Sequence, residues 1–461
     1  MSPQSYSPVR PSSFAGFIGV AREDITPPLG IYARNWGAAK HDVAQGVHRP
    51  LTLTCLTFQA SRRGQPLVLI AADLGWWKSV EDEHFVRDGL LETLELEPAR
   101  LLFCLSHTHS GPSLGRDDAE KPGGQFIEPY LRQLRTSALR ASRRALSTAT
   151  AAVLTWHSGR CDLATNRDLP EKTGRRFLVG FNPGPNADDT LLVGRVTNQD
   201  HQVIATLVNY ACHPTTLAWK NRQLSPDYVG AMRELVESQT QAPCLFLQGA
   251  SGELAPAEQY VGDLPLAERY GRRLGHAVLA TLEGMLPPKT QLVFDGVVES
   301  GAPLGIWKRA SQPPAVRLSA ELIKVELPLK SLPPLAQIER QWRECQDRVM
   351  KERLWRQRAV RKAVGDGESF QMPLWIWRLG DSLFVGHPTE AYSEFQQNLR
   401  QRLAPRAVAA IDIANGYMGY LPPRRLYGKD IYPVWQTPFG PGALEKLTRA
   451  AARVAQRLLN A

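Results

Sequence analysis

A chain of 461 residues with 43% hydrophobic and 22% charged residues has ample core material and is too balanced for a disordered or fibrous protein. No apolar run approaches bilayer-spanning length, so no transmembrane helix is expected. Lys plus Arg number 55 against 45 Asp plus Glu, and the net charge of +10 points toward an anionic partner: acidic substrate, acidic lipid headgroup or nucleic acid.

Residues 1–13, rich in Ser and Pro, read as a disordered segment, and one domain is expected over 14–461. The polar, proline-broken start lacks the regions of a secretory signal. Cys55, Cys104, Cys161, Cys212, Cys244 and Cys345 lie mostly in apolar runs without CxxC spacing, so reduced thiols and a cytoplasmic location are expected. A strand over 19–28 ends in a proline turn, and 31–46 reads as a loop whose Asn35 and Trp36 border a pocket. Strands follow at 51–59 and 66–74, then a helix at 81–94 and a buried strand at 101–105. Beyond that strand comes Ser106-His107-Thr108-His109-Ser110-Gly111-Pro112. A helix at 127–146 precedes strands at 151–156, 191–197, 203–210 and 244–248, the last two so continuously apolar that they read as central. Helices are expected at 228–240 and 264–286.

The span 287–366 reads as an inserted subdomain of proline-interrupted strands followed by one long basic helix over 335–364. Trp342, Val349 and Leu354 would form its inward stripe, leaving a solvated basic face suited at most to weak contact with an anionic membrane surface. No nucleic-acid motif accompanies that charge, and no nucleic-acid partner is expected. A hairpin turning on Gly380-Asp381, a helix at 391–403, a strand at 407–413 and a helix at 444–459 complete the chain. The order predicts an α/β fold: a mixed, largely buried sheet flanked by helices, with ligand-type residues at the carboxyl ends of strands.

Those strand ends carry the chemistry. His107 and His109, two residues apart, leave the same face of an extended chain and can converge on one ion. His213 closes the strand at 203–210, Glu253 follows the one at 244–248, Glu390 stands at a helix start after Gly386-His387-Pro388-Thr389, and tyrosines close the last strand at Tyr417 and Tyr420. Two histidines, a glutamate and a tyrosine form an N/O donor set that suits zinc. On spacing alone Glu390 reads equally well as a first-turn carboxylate facing a helix dipole, and Tyr420 as a core residue with a paired hydroxyl. Trp36, Trp76, Trp77 and Trp219 are candidates for an apolar wall.

Taken together the motifs resemble the neutral, non-lysosomal ceramidases. Gly19-Val20-Ala21-Arg22-Glu23-Asp24-Ile25-Thr26 is similar to that family's G-x-A-x-x-D-I-T, Gly46-Val47-His48-Arg49 to its G-I-H-x-R, and 106–112 to its T-H-T-H-S-G-P with Ser at 106. Asn166-Arg167 resembles its A-N-R element and Pro388-Thr389-Glu390 its P-G-E, while Tyr420, Tyr427 and Tyr432 keep its tyrosine spacing. The resemblance implies a zinc amide hydrolase with His107, His213, Glu390 and Tyr420 as ligands. It further implies His109 near the water, Arg167 in substrate contact and Tyr432 near the carbonyl oxygen. His109 or Glu253 would relay the proton, and Asn35, Trp36 and Tyr427 would contact a small-molecule or lipid-like N-acyl substrate. The sequence departs from the family where Glu253 and Ala255 replace its aspartate and active-site serine, and no immunoglobulin-like C-terminal domain or export signal is expected. A zinc esterase or lactonase, or a metal-containing binding protein without turnover, would use the same residues.

Overall fold

A strand with apolar side chains on both faces must be covered on both, and here two sheets pack face to face between layers of helices. The computed structural model describes residues 6–172 and 176–461. The larger sheet has the spatial order Cys244–Gln248, Val203–Tyr210, Thr190–Asn198, Thr150–Arg160, Ser13–Asp24, Thr52–Gln59, Leu67–Ala72 and Leu101–Leu105. Its outermost pair at each end is parallel and the inner pairs are antiparallel. The smaller sheet runs Leu318–Pro328, Ser369–Leu379, Ser382–Gly386 and Val408–Ile411, its last pair parallel.

Period-two alternation divides each strand between layers. Leu102 and Cys104 join Trp375, Trp377 and Phe384 in the core between the sheets, whereas Leu101, Phe103 and Leu105 share a core with α1 (Val80–Leu94) and α2 (Ile127–Ser147). Val193, Val208 and Phe246 pack against α3 (Tyr228–Thr240) and α4 (Leu264–Glu283). α5 (Leu335–Glu344) and α6 (Arg348–Val364) pack on each other, with four residues of α6 on a cavity wall and its last residue, Val364, in the core against the smaller sheet. Leu374, Ile376 and Val385 face the far side, under α7 (Glu394–Leu403) and, beyond the short α8 (Tyr432–Gln436), α9 (Ala443–Asn460).

The segment 412–415 closes the structure. Asp412 N–H donates to Gln248 O on one edge strand of the larger sheet. Leu105 N–H donates to Ile413 O, and the Asn415 side chain accepts from Phe103 N–H and donates to Leu101 O on the opposite edge. Both edges are therefore occupied, and the carboxyl ends of Leu101–Leu105, Cys244–Gln248, Ser382–Gly386 and Val408–Ile411 are drawn together.

The structure differs from the sequence reading at four places. Cys244–Gln248 is an edge strand, because continuous apolarity reports burial on both faces and 412–415 supplies what a further strand would. The basic stretch is two helices, since Cys345 is extended and the Asp347 carboxylate caps α6 by accepting from Val349 and Met350 N–H. That break resets the phase, so Ile338, Trp355, Val360 and Val364 face inward while Val349 is exposed. The span 287–366 divides: Thr290–Glu299 and Pro303–Ser311 form a separate hairpin, whereas Leu318–Pro328 belongs to the smaller sheet. Of residues 1–13, positions 1–5 lie outside the described residues, Val9 bridges Leu292 and Ser13 begins the first strand. Among the described residues no helix is long and apolar enough to cross a membrane.

Candidate metal centre and cavity

His107 leaves the strand Leu101–Leu105 with φ +66°, a left-handed conformation that costs a histidine about 1 kcal/mol or more. The two rings therefore meet through a turn and not by strand alternation, with centroids 4.8 Å apart. The turn is held by Thr108, whose hydroxyl donates to Ser225 O at 2.7 Å, and by the contact of His107 Nδ1 with Gly75 O at 3.2 Å. His213 Nδ1 faces Ser251 O at 2.8 Å and Leu254 O at 3.1 Å. Glu390 is not in a helix. It lies on the two-residue strand Glu390–Ala391, paired in register with Tyr420–Leu421, and α7 begins only at Glu394. That pairing brings Glu390 and Tyr420 to one place.

Proton accounting shows what this arrangement can hold. Carbonyl partners at Nδ1 assign the ring proton of His107 and His213 to that nitrogen, which leaves Nε2 as a lone pair on each. Both lone pairs point at Glu390 Oε2, 3.3 Å from His107 and 2.8 Å from His213. A second proton is no remedy, because burial and then the Arg167 charge push His213 down to about 3. Facing lone pairs in a buried site suit a divalent cation. His107 Nε2 and both nitrogens of His109 have no hydrogen-bond partner among the described residues, and donor atoms of His107, His109 and His213 lie within 4.8 Å of one another. Arg167 Nη2 contacts His213 Nε2, Gly252 O and Tyr420 Oη at 3.1, 2.9 and 2.9 Å. Two hydrogens cannot serve three acceptors, so the His213 lone pair is only shared.

Around the cluster opens a cavity of about 470 Å³ whose wall is largely aromatic. His109 sits between Trp36 and Trp76, with ring centroids at 5.0 and 4.9 Å, and burial together with the neighbouring His107 and His213 keeps it neutral. Trp36, Trp219 and Tyr260 form a box, with Trp219 and Tyr260 stacked at 6.0 Å. Tyr417 Oη donates to Glu390 Oε1 at 2.7 Å, and burial holds the Tyr417 and Tyr420 hydroxyls well above their ordinary range, so both stay phenols.

The structure brings together His107, His109, Arg167, Glu390, Tyr420, Tyr432 and Trp36 on this cavity, along with Trp76 and Trp219, and His213 stands behind the wall against Glu390. Other expected residues lie elsewhere. The Tyr427 hydroxyl donates to Phe439 O at 2.9 Å, outside the cavity. The Glu253 carboxyl is tied to the backbone N–H and hydroxyl of Ser393, and burial pushes it up to about 8. Glu253 touches the site through its carbonyl, which accepts from Arg167 N–H at 2.8 Å. The Asn35 amide donates to Gly111 O at 2.9 Å. Trp77 packs on Phe103 in the core. Sequence reasoning missed Arg353 and Arg356, which line the cavity from α6, and Tyr260 and Trp435. A basic run reads as solvated surface unless its neighbours in space are known, and only the aromatic interruption at Trp355 hinted otherwise.

These features define a class, a two-sheet α/β fold with a histidine-rich centre at converging strand ends. The sequence matches no protein-family model, and no match was found among curated proteins. Solved structures do match: a ceramidase complexed with C2 aligns with 97% of this chain and 76% of its own at 15% identity and TM-score 0.68. The neutral ceramidase from Pseudomonas aeruginosa aligns with 96% of this chain and 75% of its own at 16% identity and TM-score 0.66. The chain has the neutral ceramidase fold.

Proposed function

We propose that this protein is a zinc-dependent hydrolase of a carbonyl compound, foremost an N-acyl amide, with His107, His213, Glu390 and Tyr420 holding the metal. The observation that carries this reading is the set of proton-free His107 and His213 nitrogens meeting the Glu390 carboxylate on the wall of an aromatic cavity. Zinc, when bound, supplies a Lewis acid that polarises the carbonyl and makes water nucleophilic at neutral pH. The water oxygen bonds to the carbonyl carbon, the C–N bond breaks, and the water proton ends on nitrogen, giving an acid and an amine. His109, neutral and with both ring nitrogens unpartnered, is better placed than Glu253 to carry that proton. Tyr432, whose hydroxyl is held at 3.3 Å by Arg356 Nη1, hydrogen-bonds the developing oxyanion, and Arg167 orders His213 and Tyr420 around the substrate. The aromatic wall suits an acyl chain, and six free cysteines suit a reducing cytoplasm.

Elemental analysis paired with hydrolysis of a fluorogenic N-acyl amide and its matched ester tests this. About one zinc per chain and chelator-sensitive amide turnover are expected, both lost in His107→Ala. Full zinc in His107→Ala would overturn the ligand assignment. Ester turnover alone would make the protein an esterase, and zinc without turnover a binding protein.

A further inference from the structure

Charges on the cavity wall do not cancel. The Glu390 charge is offset by that of Arg167 on the same wall, and Glu352 pairs with Arg356 Nε at 3.3 Å. Arg353 is left over. Among the described residues it has neither a carboxylate nor a hydrogen-bond acceptor, and its guanidinium lies over the Trp435 ring, 4.6 Å from the centroid. A second cation backs the same wall: Lys330 Nζ donates to Val434 O and Trp435 O at 2.7 and 3.1 Å. Burial, and then the charge of Arg353, push Lys330 down to about 8, as expected for two cations without an anion between them.

Arg356 lies three residues further along α6, hence on the same helix face. Its contacts with Glu352, the Tyr432 hydroxyl and Asn35 O engage three of the five N–H groups of a guanidinium. The wall leading from the histidines to Arg353 is aromatic, with centroids stepping 6.5 Å from His213 to Tyr420, 5.6 Å to Tyr432 and 6.3 Å to Trp435. A ligand matched to this surface has an apolar body and a negative group close to the bond that is cut.

Resting on the amide-hydrolase reading above, we propose that α6 makes the cavity selective for amphiphilic anions: the substrate is an N-acyl amide whose amine half carries a carboxylate, as in an N-acyl amino acid, bound by Arg353 with Arg356 beside it. Guanidinium forks match carboxylates, and Arg356 contacts the tyrosine assigned to the carbonyl oxygen, so a carboxylate a few atoms from the amide falls on this face.

The test compares N-dodecanoylglycine with N-dodecanoylethanolamine, which differ chiefly in charge. The zinc-loaded wild type should favour the glycine conjugate in kcat/KM by about tenfold or more, and in Arg353→Gln that ratio should fall about tenfold, chiefly through KM, while Arg353→Lys keeps part of it. Equal kcat/KM for the two conjugates in the wild type, or an equal loss on both in Arg353→Gln, would overturn the proposal. If neither conjugate is cleaved but the fluorogenic amide is, the proposal is overturned; if none of the three is cleaved, the hydrolase reading has failed, and tryptophan fluorescence titration with dodecanoate against dodecanol decides the anion site by itself. Dodecanoate binding weakened about tenfold in Arg353→Gln would support it, and an unchanged Kd would remove it.

Discussion

At Glu253 a carboxyl with an ordinary value near 4.5 is carried up to about 8 by burial, so the folded chain holds a proton that the unfolded chain releases. The sign follows from linkage: its contribution to stability is complete below about 4.5 and is lost as pH rises through about 8. Glu253→Gln imitates the protonated acid and should flatten that slope. In urea denaturation at pH 5 and pH 8.5, the wild type should lose at least about 1 kcal/mol more than the variant between the two conditions. Equal losses would show Glu253 ionised in the folded protein. Most metal-competent donors were legible in the sequence because ligand-type residues after apolar runs are rare. The positions of Tyr427 and Glu253 were not, since identity and order along the chain do not tell which way a side chain turns once its hydroxyl or carboxyl finds a nearer partner.

Among the elements, α2 packs so closely on the first strand that a Cβ at Gly19 would stand 1.7 Å from Ala145 O. Gly19→Ala therefore forces helix and strand apart and should cost about 3 kcal/mol, read as a lower urea midpoint. A loss under about 1 kcal/mol would mean that α2 slides without penalty. Periodicity located most helices and strands to within a few residues, among them Tyr228–Thr240 and Cys244–Gln248. It failed at α5 and α6, where capping by Asp347 overrode a pattern that reads as continuous, and at Glu390, where a two-residue strand has too short a period to be seen. α6 also separates two properties. It brings side chains to the cavity wall but none of the metal-competent donors, so recognition can change there without disturbing the centre.

For the whole molecule, a metal on His107, His213 and Glu390 would join the two sheets, since the histidines follow strands of the larger one and Glu390 follows Ser382–Gly386 of the smaller. A ligand that binds only the folded state raises its stability by mass action. Chelation should therefore lower Tm by several degrees, zinc should restore it, and His107→Ala should respond to neither. A Tm indifferent to chelator would mean that the sheets hold each other without help. Two-layer burial was visible in the doubly apolar strands, but the closing of both edges by 412–415 was not, because no local pattern announces a contact between distant segments. That closure has a consequence in time. Asn415 joins the edge at Leu101 and Phe103 across sequence separations of 314 and 312 residues, so during synthesis the strand Leu101–Leu105 waits for nearly the whole chain. Until then it presents an open, sticky edge, and the histidines beyond it have no glutamate to meet. A ribosome that stalls before residue 390 would leave His107 and His213 without the carboxylate that meets them in the folded chain.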